Sequence, residues 1–469
     1  MIPARLDPLL RADGVPMGLA RRFADGGREL YLVGGSVRDA LLGRARFEEE
    51  HDFATDARPS EVRRLVAGWA DEVYTVGETF GTIGLIKDGV RAEITTFRAE
   101  VYREDSRKPV VQFADDLETD LSRRDFTVNA TALRLVPGPE IIDPFGGLAD
   151  LGAALLRTPL DPGIAFADDP LRMLRLFRFV SALGFRADGA AVAAVRSMRE
   201  RLAIVSGERI RDELDKLLVG EHVEAGLWGL VDSGLAGEFL PEITALRLQQ
   251  DPIHQHKDVL AHTIAVVGRC RADRILRLAA LFHDVGKPDT RSFGPEGVAF
   301  HHHEVVGARL ARHRMRELRY SKEEIEQVSG LVYLHLRPHT LKMGWTDRAV
   351  RRYVRDAGSL LEPLNLLVRA DVTTRDPKKA RAVERRIEEL EERIAVLREQ
   401  EELDSIRPPI DGHAVMAFLG IKPGPLVGEV MDLLLEYRLD EGPYSEEEAF
   451  RLVREWAEAR GLGDGRGAT

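Results

Sequence analysis

The hydrophobic and polar positions of the chain change their spacing near residue 160. Before that point, short apolar runs alternate with amphipathic segments, which predicts mixed strands and helices over residues 30–150 after a helical lead-in. Beyond it, the apolar residues follow a helical period, as Leu171, Leu174 and Phe177 do. The pattern therefore predicts an α+β fold class in which a region of strands and helices comes first and a helical region follows.

Several elements are predicted within the first part. Residues 31–33 predict a strand that ends in a Gly-Gly turn, and a helix begins at Ser36. Residues 73–98 predict a strand pair joined at residues 87–89. Side chains alternate along such strands, so every second residue shares a face.

The segments that close the first part have weaker signals. Residues 99–119 are charged and weakly periodic, and we expect a mobile loop there. We expect a helix from Leu121, followed by a strand and turn over residues 141–151.

The helical part carries two clear local signals. Ser321 and Glu324 have the spacing of a capping box, which predicts a helix start. A seam with coiled-coil spacing suits either an intramolecular hairpin or a dimer, and it consists of Val383, Ile387, Leu390, Ile394 and Leu397. A break at residues 407–409 precedes a last helical unit over residues 411–461.

Composition narrows the class of protein. A chain of 469 residues is expected to form several domains. A single cysteine, Cys270, excludes an internal disulfide and favours a reducing cytoplasm. We find neither an apolar signal core nor an apolar run long enough for a bilayer, so no membrane partner is expected. The net charge of -11 argues against a generic nucleic-acid binder, although arginines cluster at residues 123–124 and 172–178.

The stretch from residue 30 to residue 56 carries candidate chemistry. Amides at the Gly34-Gly35 turn and the following helix start can cradle a phosphate. Glu50 and Asp52 lie two apart on a predicted strand, so their carboxylates share one face. A phosphate cradle beside two carboxylates suits metal-assisted phosphoryl chemistry. The alternative is an exposed acidic loop, because residues 48–50 are three glutamates.

Five motifs occur in order: LVGGSVRD with the acidic pair, RRDFTVNA, DPFGGLADL, DDPLRMLRLFRF and SGERIRDEL. Together they resemble the class II tRNA nucleotidyltransferases and bacterial poly(A) polymerases of the polymerase-beta-like superfamily, over residues 30–245. The resemblance implies a small nucleotidyltransferase head with a mixed sheet, followed by an all-helical neck.

The resemblance also implies a catalytic site on Glu50 and Asp52. Two Mg²⁺ ions there would activate a 3′-hydroxyl and stabilise the leaving pyrophosphate. The family normally has aspartate at both positions, whereas this chain has Glu50 at the first. Glu93 is either a third metal ligand or a strand carboxylate paired with Arg91 or Arg98.

The remaining motif residues are expected to bind the nucleotide. For the triphosphate and sugar, the resemblance implies Gly34, Gly35, Ser36, Arg38, Arg123, Arg124, Asp125 and Asn129. It implies that Asp169 and Arg172 read the base without a nucleic-acid template. An ionised carboxylate accepts and arginine donates, which matches the donor and acceptor edges of C and A and mismatches those of G and U. The alternative for this pair is a surface salt bridge. Arg175 and Arg178 are expected to contact phosphate or the neighbouring motif.

A second set of motifs begins with LRLAALFHDVGKP, which resembles the HD phosphohydrolase superfamily over residues 255–375. The resemblance implies metal ligation by His262, His283, Asp284 and Asp371, with His303 and His335 as a second pair. These donors suit a divalent metal such as Mg²⁺, Mn²⁺ or Ni²⁺, which would activate water against a phosphoester. Phosphatase or 2′,3′-cyclic phosphodiesterase activity follows, unless the domain has lost its activity.

The combined expectation is a tRNA nucleotidyltransferase that adds CCA from CTP and ATP. We predict a head over residues 1–157, a neck over 158–250, an HD domain over 251–376, and a tRNA-binding tail over 377–469. In the tail, GIKPGPLVG offers amides to a tRNA phosphate or is only a helix–helix turn. The open alternatives are A addition, CC addition, poly(A) synthesis, or a hydrolase with a relic head. The family's flexible loop corresponds to residues 99–119, and its presence favours CCA or A addition. The oligomeric state stays open.

Overall fold

The computed structural model of the chain describes residues 2–44, 50–101, 110–114, 116–248, 258–294, 297–337, 346–372, 377–401 and 406–462. The chain divides into two compact units, Met1–Thr244 and Ala245–Thr469. The polar stretch at residues 250–257 lies outside the described residues, and so do Glu48 and Glu49 of the acidic run.

The strands of the first unit are, in chain order, β1 (Leu30–Val33), β2 (Glu50–Thr55), β3 (Glu72–Tyr74), β4 (Thr82–Lys87), β5 (Val90–Thr96), β6 (Arg98–Val101), β7 (Val110–Phe113), β8 (Ala132–Val136), β9 (Glu140–Ile142), β10 (Leu155–Leu156) and β11 (Arg186–Ala187). Seven of them form a mixed sheet in the order β3-β4-β5-β2-β1-β8-β9. Strands β2 and β5 are parallel, whereas β1 is antiparallel to both β2 and β8. The mixed sheet confirms the predicted fold class.

The helices of the first unit are α1 (Val15–Asp25), α2 (Gly35–Leu42), α3 (Pro59–Val66), α4 (Leu117–Ser122), α5 (Gly147–Gly152), α6 (Pro162–Asp168), α7 (Leu171–Leu183), α8 (Gly189–Met198), α9 (Gly207–Leu218), α10 (Val223–Asp232), α11 (Ala236–Phe239) and α12 (Pro241–Ala245). One face of the sheet packs on α1 and α3 through a buried core that includes Phe23, Phe53 and Val62. From residue 158 onward the unit is helical apart from β11, which pairs with β10 in a two-residue parallel ladder.

The predicted strand pair at residues 73–98 is confirmed. Strands β4 and β5 are antiparallel and joined at Asp88 and Gly89, which both have positive φ angles of 51° and 80°. The left-handed region suits a two-residue hairpin turn and explains the glycine. Along β5, burial alternates as the pattern predicted, with Arg91, Glu93 and Thr95 on the more exposed face.

Two predictions for the segments that follow were wrong. Residues 99–119 were expected to be a loop, but β6 and β7 pair there as an antiparallel ladder and α4 begins at Leu117. Residues 102–109 lie outside the described part of the chain. The helix expected from Leu121 ends at Ser122, and a single 3-10 turn over Thr127–Asn129 leads into β8. Pairing with β1 outweighs the local helical pattern at β8.

The closing segment follows the prediction and adds a helix. Strand β9 is present, and α5 begins after the Gly146 turn. The Asp143 carboxylate accepts hydrogen bonds from the amides of Gly147 and Leu148 at 2.7 and 2.9 Å. Amides at a helix start have no partner within the helix, so this carboxylate stabilises α5.

The second unit is helical, with one short hairpin of β12 (Arg291–Gly294) and β13 (Gly297–Phe300). Its helices are α13 (Val259–Arg269), α14 (Arg274–Phe282), α15 (Lys287–Thr290), α16 (His303–Glu317), α17 (Lys322–Leu334), α18 (Asp347–Ala357), α19 (Leu361–Asp371), α20 (Pro377–Gln400), α21 (Gly412–Leu419), α22 (Pro425–Glu441) and α23 (Glu446–Ala459). The capping box of Ser321 and Glu324 is present at the start of α17, as predicted.

The coiled-coil seam of α20 is used within the chain. Ile387, Leu390, Ile394 and Leu397 are buried, and α20 packs on α18 and α19. The side chain of Val383 lies outside the described residues. The intramolecular alternative of the prediction is therefore the one that the fold uses.

A buried ionic triad ties the end of this seam to the last helical unit. The Glu401 carboxylate lies 3.0 Å from Arg351 Nε on α18 and 2.5 Å from Arg438 Nη1 on α22. All three side chains are almost fully buried. Within the described residues, no helix is long and apolar enough to cross a membrane.

Candidate functional site

The first candidate site lies on the exposed face of β2 and β5. Strand β2 exposes Glu50 and Asp52 and buries His51 between them, as the alternation predicted. Asp52 is the register partner of Glu93 on the parallel strand β5, so all three carboxylates lie on the same face. Such a group of oxygen donors suits a hard divalent cation.

The electrostatics of these carboxylates are coupled. Partial burial raises the pKa of Asp52, Arg124 opposes the rise, and Glu50 adds to it. Burial also raises the pKa of Glu93, with further contributions from Asp52 and Glu50. Asp52 and Glu93 are therefore harder to ionise, because of burial first and the neighbouring carboxylates second, and a bound cation would relieve the repulsion between these groups.

The Gly-Gly turn lies beside the carboxylates. Gly34 has a φ of 71°, in the region that favours glycine, and it directly precedes α2. A Cβ placed on Gly34 would lie 3.0 Å from Arg124 Nη1 and 3.5 Å from Asp52 Oδ2. The glycine therefore allows the backbone to approach both groups closely. The Ser36 hydroxyl bonds to the backbone oxygen of Glu50 at 3.3 Å, which links the turn to β2.

An open cavity of about 310 Å³ adjoins the carboxylate face. Most of its lining residues are charged, and they are Thr95, Arg98, Asp120, Arg123, Arg124, Asp125, Asp169, Arg172 and Arg175. Six of these nine were named from the sequence as nucleotide-binding residues, and the fold brings them together from two separate motifs. Such a cavity suits an anionic, hydrogen-bonding ligand.

Two arginines named from the sequence do not line this cavity. Arg38 donates to both oxygens of Asp39 at 2.7 and 2.8 Å and to Asn129 Oδ1 at 2.7 Å. Arg178 Nε lies 2.8 Å from Glu213 Oε2, and its guanidinium stacks over the Phe179 ring at 3.7 Å. Burial lowers the pKa of Arg178 to about 10. Both arginines are engaged with protein groups.

Asp125 is a buried structural centre of the cavity wall. Its carboxylate accepts from Arg175 at 2.5 and 2.8 Å and from the Asn129 amide at 2.8 Å. Burial would raise the pKa of Asp125, but Arg175 and Asn129 outweigh it and hold the pKa well below its usual range. Arg175 therefore contacts the neighbouring motif, one of its two predicted roles.

Asp169 and Arg172 do not pair with each other, so the surface salt bridge considered from the sequence is not formed. Asp169 accepts from Arg209 at 2.9 Å and from the Leu171 amide at 3.2 Å. Arg172 is buried and donates to the backbone oxygens of Arg123 and Ala165. Each side chain is therefore fixed by hydrogen bonds to protein groups and also lines the cavity.

Two residues of the SGERIRDEL segment contact the cavity wall but were not named individually from the sequence. Glu213 is buried and forms ion pairs with Arg175 and Arg178. Arg209 anchors Asp169. The signal was available, because the segment was recognised as a motif, but the partners lie 35 to 40 residues away and no local pattern identifies them.

The second candidate site lies among α13, α14, α16, α17 and α19 of the second unit. Asp284 Oδ2 lies 3.3 Å from His283 Nε2 and 3.6 Å from His262 Nε2. Its other oxygen, Oδ1, lies 3.4 Å from His303 Nε2. Within the described residues, the potential metal-binding groups are His262, His283 and Asp284, and Asp284, His303 and His335.

Asp371 completes the first group. Its Oδ1 lies 2.9 Å from His262 Nε2 and 3.6 Å from His283 Nε2. The fold thus brings together all six ligands named from the sequence, with Asp284 between two sets of donors. Lys287 also reaches Asp284 Oδ2, at 2.6 Å.

Three of the histidines are oriented by their second ring nitrogen. The Nδ1 atoms of His283, His303 and His335 lie 2.6 to 2.9 Å from the backbone oxygens of Ala280, Phe300 and Val332. An Nδ1–H that donates to a carbonyl leaves Nε2 unprotonated, which is the form that binds a metal. His283 and His335 each directly follow the last residue of a helix, α14 and α17.

Burial and nearby charges shift the pKa values of His335 and His283 in opposite directions. Burial, together with a smaller contribution from the nearby His283, lowers the pKa of His335 to about 3. Burial also opposes protonation of His283, but Asp284 and Asp371 outweigh it and raise its pKa. His283 and its neighbours hold the pKa of Asp284 well below its usual range against burial. The converging imidazole and carboxylate donors fit a divalent metal.

Comparison with known families covers most of the chain. Residues 30–157 match the family described as Poly A polymerase head domain, and residues 184–246 match Probable RNA and SrmB- binding site of polymerase A. Residues 259–376 match the HD domain family. The first match contains the carboxylates and the Gly34 turn, the third contains the second candidate site, and Asp169, Arg172 and Arg175 lie between the first and second matches.

Several known proteins are similar over nearly their whole length. An A-adding tRNA nucleotidyltransferase of Deinococcus radiodurans is 33% identical, over 91% of this chain and 95% of its own. A CCA-adding enzyme of Anoxybacillus flavithermus is 30% identical, over 92% and 93% of the two chains. The solved structure of Bacillus stearothermophilus CCA-adding enzyme in complex with CTP has a TM-score of 0.69 at 25% identity, and the alignment covers 98% of this chain and 99% of that one.

Proposed function

This chain belongs to the tRNA nucleotidyltransferase and poly(A) polymerase family, and we propose that it adds C and A from CTP and ATP to the 3′ end of tRNA. The observation that carries the proposal is the juxtaposition of the carboxylates Glu50 and Asp52 with the Gly34 turn and the charged cavity. Relatives of nearly equal length carry the names CCA-adding enzyme and A-adding tRNA nucleotidyltransferase, which supports this reaction class.

We assign the catalytic role to Glu50 and Asp52, with Glu93 as an additional ligand. Their all-oxygen donor set favours Mg²⁺. Bound Mg²⁺ supplies activation of the attacking 3′-hydroxyl and charge stabilisation of the leaving pyrophosphate. Glu50, whose side chain is one methylene longer than that of aspartate, is the exposed first residue of β2.

The triphosphate is assigned to the turn and the arginines beside it. The backbone at Gly34, Gly35 and Ser36 offers amides at the start of α2. Arg123 and Arg124 line the cavity and supply positive charge to the phosphates. Asp125 and Asn129 hold the wall in place together with Arg38 and Arg175.

Base selection is assigned to Asp169 and Arg172. Cytosine and adenine present an amino donor beside a ring-nitrogen acceptor, which a carboxylate and a guanidinium can match. Uracil and guanine have the reverse order of donors and acceptors on this edge, so they would leave the carboxylate and the guanidinium without hydrogen-bond partners. A polar site gains high selectivity in this way. The contacts to Arg209 and to the Arg123 backbone support this role because they limit the positions that the two side chains can adopt.

The experiment uses three tRNAs that lack CCA, end in C, or end in CC. Incubation with labelled CTP or ATP is expected to extend the first two with C and the third with A. Incorporation into none of them would refute the proposal. A addition only, with no C addition, would assign the chain to the A-adding class, a second candidate that the Deinococcus radiodurans relative supports. Long A tracts would indicate a poly(A) polymerase.

We further propose that the second unit is a metal-dependent phosphohydrolase. The convergence of two donor sets on Asp284 supports it. Among Mg²⁺, Mn²⁺ and Ni²⁺, the imidazole-rich set favours the transition metals. Metal analysis of the purified protein and hydrolysis of 2′,3′-cyclic AMP would test this, with an Asp284→Asn variant as control. A hydrolase with a relic head is not favoured, because the full-length relatives are named for nucleotide addition.

The four-part division proposed from the sequence assigns nucleotidyl transfer to residues 1–157 and nucleotide selection to 158–250. The HD site falls in residues 251–376, and residues 377–469 are proposed to contact tRNA. A cytoplasmic location is proposed from the reaction class, since its substrates are tRNA and free nucleotides.

A further inference from the structure

A continuous set of polar contacts joins the helix after the Gly-Gly turn to the helix that carries Arg172. Starting on α2, Arg38 binds Asn129, Asn129 binds Asp125, and Asp125 binds Arg175 on α7, over distances of 2.5 to 2.8 Å. We call these residues, with Glu213 and Arg178, the inter-helix network.

Glu213 lies at the far end of the network and is the group that the proposed reaction does not use directly. It lies on α9, is 4% exposed, and does not line the cavity. Its two carboxylate oxygens lie 3.2 Å from Arg175 Nη1 and 2.8 Å from Arg178 Nε. A single buried carboxylate therefore holds two arginines of α7 from behind.

The position of Glu213 has a consequence for charge. Its removal would leave Arg175 with Asp125 as its remaining ion-pair partner and would leave the half-buried Arg178 without its ion-pair partner. A partly buried charge that loses its partner is destabilised, so both arginines are expected to move toward solvent. Because both belong to α7, that movement would shift the helix whose first turn carries Arg172.

We propose that Glu213 is a positioning residue for nucleotide selection. Its contact with Arg175 fixes the position of the start of α7, which carries Arg172. The contacts of Arg175 with Asp125, and of Asp125 with Asn129, connect this end of α7 to α2 beside the Gly34 turn. The network thus makes the triphosphate side and the base side of the cavity depend on each other. This inference rests on the proposed function, because it assumes that CTP or ATP occupies the cavity.

The first test compares Glu213→Gln with a matched control in the same unit. Glu238→Gln breaks an ion pair with Arg199 (3.2 Å) that lies outside the network. Equilibrium binding of CTP, ATP and UTP to the full-length protein is measured for each variant. A loss of about 1.4 kcal/mol of discrimination corresponds to tenfold, and we expect E213Q to narrow the preference for CTP over UTP by about that factor. E238Q should leave the preference unchanged.

The second test asks whether the two ends of the network act together. Asn129→Ala and Glu213→Gln are made singly and combined, and kcat/KM for CTP is measured with tRNA lacking CCA. Linked residues show interaction energies of about 0.5–3 kcal/mol, so the double variant should retain at least about twofold more activity than the product of the single effects predicts.

The outcomes separate the inference from its premise. If E213Q lowers thermal stability but keeps the CTP preference, or if its effect multiplies independently with that of N129A, Glu213 is only structural and the inference fails. If E213Q does not fold, the same binding test is made with Glu213→Asp. We expect this variant to narrow the preference for CTP over UTP by less than tenfold, and an unchanged preference would refute the inference. If the unmodified protein binds neither CTP nor ATP and extends no tRNA, the proposed function itself fails.

Discussion

Replacement of Asp169 by asparagine tests base selection most directly. The carboxylate has two oxygens that only accept hydrogen bonds, whereas the amide of asparagine has one acceptor and one donor group. Asp169→Asn therefore presents a donor where the amino group of cytosine or adenine also presents one. Uracil, which presents a carbonyl oxygen at that position, gains a partner.

The magnitude follows from the contacts of Asp169. Oδ2 already accepts a hydrogen bond from Arg209, and Oδ1 accepts one from the Leu171 amide. The substitution therefore removes one further hydrogen bond, which the carboxylate would accept from the base on the cavity side. A hydrogen bond to a charged group contributes about 1.5–3 kcal/mol, which corresponds to a loss of about 10- to 150-fold in kcat/KM for CTP. The pair with Arg209, whose side chain is 54% exposed, adds at most about 1 kcal/mol of stability. The effect on selectivity should therefore exceed the effect on folding.

The assay is incorporation of a single nucleotide into tRNA lacking CCA, with CTP, UTP, ATP or GTP supplied separately. Arg209→Gln is the matched control, because it removes the same ion pair and leaves the acceptors of Asp169 intact. The reasoning is refuted if D169N keeps the preference of the unmodified protein for CTP over UTP. It is also refuted if R209Q changes that preference as much as D169N does.

Three further predictions concern the two metal sites and the stability of the second unit. Asp52→Asn removes an anionic donor from the carboxylate face and should lower nucleotide addition more than about 100-fold, because metal-ion stabilisation contributes several kcal/mol; retained addition would contradict the assignment. His283→Ala should lower the metal content of the protein, measured by elemental analysis, while nucleotide addition persists; loss of addition would show that the two sites are linked. Glu401→Gln leaves Arg351 and Arg438 buried without their shared carboxylate and should cost about 3–5 kcal/mol. Calorimetry of this variant against the exposed Glu399→Gln measures that cost, and equal unfolding temperatures would contradict it.

The features that the sequence predicted correctly depend on short-range periodicity. The period of two along β2 identified the shared face of Glu50 and Asp52, and the same rule applied to β5 placed Glu93 on one face with Arg91 and Thr95. The capping box at Ser321 is likewise a contact between residues three apart. In each case the interacting groups lie within one element, so the local pattern contains the needed information.

The features that it missed depend on partners far along the chain. The helix expected from Leu121 included the first two residues of β8, because the pairing of β8 with β1 joins residues about a hundred positions apart. Arg175 was expected among phosphate or motif contacts, and only the fold shows that Asp125 and Glu213 hold it. The partners of such an arginine depend on the three-dimensional positions of distant residues, which the local sequence pattern does not reveal.

The helix ends in the second unit have a consequence for the order of binding. His283 and His335 follow the final residues of α14 and α17, where backbone oxygens accumulate partial negative charge. With Asp284 and Asp371 added, the site attracts cations and repels a phosphate ester. If this unit is the proposed metal-dependent phosphohydrolase, metal loading is expected to precede phosphate binding, so the metal supply of the cell would control whether the unit binds its substrate. The arginine-lined cavity of the first unit has the opposite polarity and can attract a nucleotide on its own.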